Sequence, residues 1–108
     1  MRTVEFMRRL DPDTFLRVRF DIERGRVRGF VVQLECQFVD EYHPVVRYDT
    51  AHGFAHRDLL HPSGQTDKAD IYEADLNQAL NFAIADITAH WHDYRRRYEQ
   101  WLRQRKQK

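Results

Sequence analysis

Residues 14–39 read TFLRVRFDIERGRVRGFVVQLECQFV, and their alternation decides the fold. Leu16, Val18, Phe20 and Ile22 share one face of a strand from Thr14 to Glu23, with Arg17, Arg19, Asp21 and Glu23 on the other. From Arg28 to Val39 the same period of two sets Phe30, Val32, Leu34, Cys36 and Phe38 inward and Gln33, Glu35 and Gln37 outward. Each run is a half-buried strand, and Gly25 between them marks a hairpin. A two-residue Arg24-Gly25 loop would oppose Phe20 to Gly29 and Leu16 to Gln33, mixing the faces. One more residue opposes Phe20 to Phe30 and Leu16 to Leu34, keeping both apolar sets together, so a loop of about three residues at Arg24-Gly25-Arg26, or a bulge, is expected.

Downstream, Asp40-Glu41-Tyr42-His43-Pro44 interrupts the pattern, and Val45 to Asp49 forms a third strand with Val46 and Tyr48 inward, Arg47 and Asp49 outward. After Thr50-Ala51-His52-Gly53, a fourth strand runs from about Phe54 to His61. Pro62 and Gly64 open a loop over residues 62–74. A helix over residues 75–104 follows, where Asp75 and Gln78 make a capping box; Asp70 with Glu73 is a rival start. Leu80, Ile84, Ile87, Trp91, Tyr94, Tyr98 and Trp101 recur every three or four residues and form the stripe that meets the sheet. The expected fold is α+β, a four-stranded antiparallel meander over residues 13–61 with this helix on its apolar face, preceded by an N-terminal segment 1–12. Such a helix spans roughly 45 Å and a six-residue strand roughly 20 Å, so its last turns should overhang. They would then pack on a partner subunit or on the first hairpin.

At 108 residues the chain has room for one domain, 1–108, and its 42% hydrophobic content places it above the range of disordered chains. The single cysteine, Cys36, excludes an internal disulfide and reads as a core thiol in a reducing, cytoplasmic setting. MRTVEFMRRLDPD has no apolar leader core, and no run approaches the roughly 18 apolar residues of a membrane span. Net charge is +1, yet residues 95–108 carry +6, ending in a basic tail at 105–108. Such a block suits RNA, DNA or an acidic partner, or equally the dipole at a helix C-terminus.

Three imidazoles, His52, His56 and His61, fall within RYDTAHGFAHRDLLH, residues 47–61. As zinc ligands, with His90 or His92 as a fourth, they are poorly spaced: His56 and His61 differ by an odd number and point to opposite faces of a strand. No metal or other cofactor is therefore expected. As acid–base groups on a phosphodiester, His52 and His56 flank one cleft, Arg47 and Arg57 balance developing charge, and Asp49 orients an imidazole. The plain structural reading makes Arg47 and Asp49 rungs of a polar cross-strand ladder with Gln37 and Glu35. Either face of the fourth strand buries a charged group, His56 with Asp58 or Arg57 with Ala55, which a purely structural strand would avoid.

The runs VVRYDTAHGFAHRDLLHPSG and DLNQALNFAIADITAHW resemble a family of small uncharacterised prokaryotic α+β domains. More distantly they resemble the TumE-type toxins of toxin–antitoxin loci, which share an Arg-Tyr/Trp-Asp strand and a histidine-rich stretch before a C-terminal helix. The matching positions are Arg47, Asp49, His52, His56 and His61, although Phe54 and Ala55 separate histidines that the toxins cluster. The resemblance implies a toxin-like protein acting on RNA, with His52, His56, Arg47 and Asp49 as the catalytic set. Arg57, Asp58 and His61, with Arg96, Arg97, Arg103 and Arg105 of the tail, are the binding candidates. The rival expectation is a non-catalytic module that binds a cognate protein, RNA, DNA or a second copy of itself through helix, sheet edge and tail. No membrane partner is expected.

Overall fold

The computed structural model describes residues 1–51 and 53–106. In chain order it has β1 (Arg2–Asp11), β2 (Thr14–Glu23), β3 (Arg26–Phe38), β4 (Glu41–Asp49), β5 (His56–Leu60), β6 (Thr66–Asp70) and α1 (Leu76–Lys106). The strands pair antiparallel in that order as one sheet. The fold is α+β with one C-terminal helix, but among the described residues the sheet has six strands and not four. β1 occupies the segment expected to precede the sheet, and β6 lies inside the expected 62–74 loop.

The central hairpin keeps the expected faces, with Leu16 opposite Leu34 and Phe20 opposite Phe30. It does so with a two-residue turn, Arg24 and Gly25 at φ 52° and 76°, and a bulge beside Asp21 and Ile22 that absorbs the extra residue. β4 begins at Glu41, four residues earlier than the sequence pattern indicates. Pro44 is tolerated there because the β3–β4 register shifts beside it and β5 pairs only from Val46 onward, so the missing amide proton costs no ladder bond.

Leu16, Val18, Val32, Leu34, Cys36, Val46 and Tyr48 face α1, which returns Ala79, Leu80, Ala83, Ile87, Tyr94 and Tyr98. Burying each large apolar side chain contributes about 1.5–3 kcal/mol. Asp75 caps the helix, its Oδ1 accepting the Gln78 amide proton at 2.8 Å. The helix kinks at His90, whose φ and ψ are −124° and 15°, and it continues through residues 105 and 106 of the expected tail.

The C-terminal half of α1 does not overhang. β3 is 13 residues long and spans roughly 43 Å at 3.3 Å per residue, close to the length of the helix. Tyr98 stacks on Phe38 with ring centroids 5.4 Å apart, and Trp101 stacks on His61 at 3.8 Å. Arg105 donates to the Pro62 carbonyl. Arg95 donates to Thr14 Oγ1 at 2.8 Å, Asp13 Oδ2 at 3.1 Å and the Gln37 carbonyl at 3.1 Å. The helix end thus meets the first hairpin at Phe38 and also the segment just after β5, at His61 and Pro62. Among the described residues no helix is long and apolar enough to cross a membrane.

Candidate functional site

The ladder pairs Asp49 with His56 and Arg47 with Asp58. Val46 and Tyr48 take the helix side of β4, so these four residues stand on the face that α1 leaves open. The choice left open for β5 is thereby settled: His56 and Asp58 point to the open face, while Arg57 and Leu59 point to the helix. His56 Nε2–H donates to Asp49 Oδ1 at 2.7 Å, and Asp58 Oδ2 lies 3.9 Å from the same nitrogen. His56 and Asp58 are each only 5% exposed. A buried imidazole held by a carboxylate is oriented.

Neighbouring groups hold this pair in place. Asp49 Oδ1 also accepts the Ala51 amide proton at 3.2 Å, and Thr50 Oγ1 accepts that of Phe30 at 3.0 Å. Gly53, at φ 86°, closes the turn by donating to the Thr50 carbonyl at 3.0 Å. Lys68 Nζ sits 3.1 Å from Asp58 Oδ1. A hollow of about 190 Å³ adjoins Asp49 and is lined by Arg19, Val31, Thr50 and Ala51 among others.

Other expected residues are dispersed. Arg47 is on the open face, but its Nε donates to Gln33 Oε1 at 2.7 Å. Gln33 and Arg17 both reach Glu35, at 3.4 and 3.1 Å, so the polar ladder exists beside the histidine pair, with Gln33 rather than Gln37 as the rung. Arg57 leaves the site: its Nη1 donates to Tyr94 at 3.5 Å under the helix, and its Nε is buried without a hydrogen-bond partner. His61 also leaves, bound to Asp67 at 2.7 Å and stacked on Trp101. Arg96 pairs with Asp93 and Arg103 with Glu99, at 3.3 and 3.1 Å, while Arg97 is exposed. His52, the fourth expected catalytic residue, lies outside the described residues.

Sequence reasoning missed a second polar cluster, on the helix side. Tyr48 and Tyr94 both donate to Asp86 Oδ2, at 2.6 and 2.5 Å, and His90 Nδ1 lies 3.1 Å from Asp86 Oδ1. Burial, then the bond to Asp86, pushes both phenols above their ordinary range. The signal was present: Asp86, His90 and Tyr94 stand four apart, in one row of a helix. Cys36 is buried, and burial pushes its thiol up to about 11, as a core thiol requires.

Of the histidines weighed and set aside as a fourth zinc ligand, His90 is engaged by Asp86 and His92 stacks on Trp91 at 3.5 Å. Among the described residues a different set converges: Asp49, His56 and Asp58 bring one donor atom each within 4.8 Å of one another.

The family described as Domain of unknown function (DUF7718) matches residues 1–104, and the chain belongs to that family. No curated protein and no solved structure matches the chain.

Proposed function

We propose that this member of the DUF7718 family is a small RNA-cleaving protein of the toxin–antitoxin kind, working by imidazole proton transfer on the open sheet face. The observation that carries the reading is the buried 2.7 Å bond from His56 to Asp49. The imidazole of His56, oriented by that bond, is the group assigned to take the proton of a ribose 2′-hydroxyl. The freed oxygen attacks the adjacent phosphorus, the bond to the 5′ oxygen breaks, and His52 returns a proton to that leaving oxygen. Asp49 stabilises the imidazolium of the first step, and Arg47 stands two ladder positions away on the same face to oppose charge on the phosphorane. The hollow lined by Asp49 and Arg19 offers room for a phosphate group.

The rival reading, a non-catalytic module that binds through helix and tail, draws less support, because Arg96, Arg103 and Arg105 are engaged within the chain. The test is incubation of the purified chain with single-stranded RNA in the presence of a metal chelator. Cleavage leaving 2′,3′-cyclic phosphate ends, falling about 10²-fold or more in His56→Ala and in His52→Ala, is the expected result. Intact RNA, or folded variants as active as the parent, would reject the reading.

A further inference from the structure

We propose that Asp49, His56 and Asp58 bind a divalent first-row transition ion, zinc foremost, and that the bound ion switches the proton-transfer site off. The binding half stands on geometry alone, and the regulatory half rests on the acid–base reading above.

Three features carry it. The donors sit on paired strands, Asp49 opposite His56 and Asp58 two residues along the same face. Their mutual placement is therefore set by the sheet and not by a loop. Next, the two carboxylates divide their oxygens: Asp58 turns Oδ1 to Lys68 at 3.1 Å and Oδ2 toward His56 at 3.9 Å, while Asp49 Oδ1 faces His56 at 2.7 Å and is oriented by the Ala51 amide. The three donor atoms lie within 4.8 Å of one another, and small side-chain adjustments would bring each to about 2.0–2.2 Å from a bound ion, with an outer shell already in place. Finally, two carboxylates are held close together away from water: the Asp49 and Asp58 side chains are 15% and 7% exposed, and Lys68, which pairs with Asp58, is 62% exposed. Neighbouring buried carboxylates favour a shared cation.

The chemistry selects the class of ion. One imidazole nitrogen and two carboxylate oxygens suit zinc, manganese or cobalt; no thiolate is present for a soft ion, and calcium wants six to eight oxygens. On binding, the ion takes the Nε2 position and the single imidazole proton moves to Nδ1, so that a ligated His56 has no nitrogen left to receive a proton from RNA.

Calorimetry with zinc chloride on the full chain tests the site, with cobalt absorption as an independent readout. One ion per chain is expected, with affinity at least tenfold weaker in Asp58→Asn and about fivefold tighter in Lys68→Ala, where a like charge is removed. No binding, or unchanged affinity in both variants, would overturn the site. RNA cleavage measured with chelator and with zinc separates the two readings. Zinc binding without cleavage in either condition rejects the acid–base function and leaves the site standing, whereas cleavage in chelator without zinc binding does the reverse. Equal cleavage by the zinc-loaded and metal-free chains rejects the switch.

Discussion

Tyr48 on β4 and Asp86 on α1 are joined by a 2.6 Å hydrogen bond across the sheet–helix interface, and Tyr94 donates to the same oxygen at 2.5 Å. A carboxylate carried toward an apolar interface is thus satisfied from both layers, four residues before the kink at His90. Buried charge without such partners is expensive. Tyr48→Phe should therefore lower stability by about 1–3 kcal/mol, read as a shift in urea midpoint at constant slope. An unchanged midpoint would mean that Asp86 finds another donor.

The same residues set the response to alkali. Tyr48, Tyr94 and Cys36 are acids held above their ordinary values, chiefly by burial. Between the unfolded and folded values the native chain keeps protons that the unfolded chain has lost. Stability is therefore complete below the ordinary thiol range near about 8.5 and falls as pH rises through that of the phenols near about 10. The urea midpoint should be flat on the alkaline side of neutrality and decline as the thiol and then the phenols titrate. Tyr48→Phe should flatten the upper part of that decline; an identical profile in the variant would remove Tyr48 from the account.

Arg95 and Arg97 should behave differently despite standing two apart. Arg95 satisfies Thr14, which is 0% exposed, and its guanidinium lies 4.8 Å from the Phe38 ring centre. Arg95→Met should cost about 1.5–3 kcal/mol, as expected for a hydrogen bond to a charged group. Arg97→Ala, at an exposed position, should stay within about 0.5 kcal/mol. Thermal unfolding of the two variants side by side decides the matter, and equal melting temperatures would contradict it.

Gly29 governs the turn that leads out of Asp49. A methyl group added there would stand 3.2 Å from Thr50 Oγ1, which accepts the Phe30 amide proton. Gly29→Ala should push Thr50 aside and cost about 1 kcal/mol, with RNA cleavage falling further than stability because Asp49 is displaced. Thr50→Val, which keeps the shape and loses the acceptor, should reproduce the loss. Full stability and cleavage in both would show that the turn holds itself.

β2, β3 and the helical stripe were legible because each alternates or repeats against a continuous apolar partner, and burial allows one face only. Asp75 was legible as a cap because capping is a local bond. β6, TDKAD, was not legible: an edge strand beyond the reach of α1 is held by backbone pairing with β5, which leaves no apolar period in its side chains. The register of β5 was undecidable from alternation, since charged residues occupy both of its faces. Pairing with β4 made the decision, by setting His56 opposite Asp49. Arg57, His61 and the helix end went elsewhere for a related reason. Sequence patterns specify which way a side chain faces along its own element, but which groups meet depends on strand register and on the length of β3 relative to α1, and only packing of the whole chain determines those.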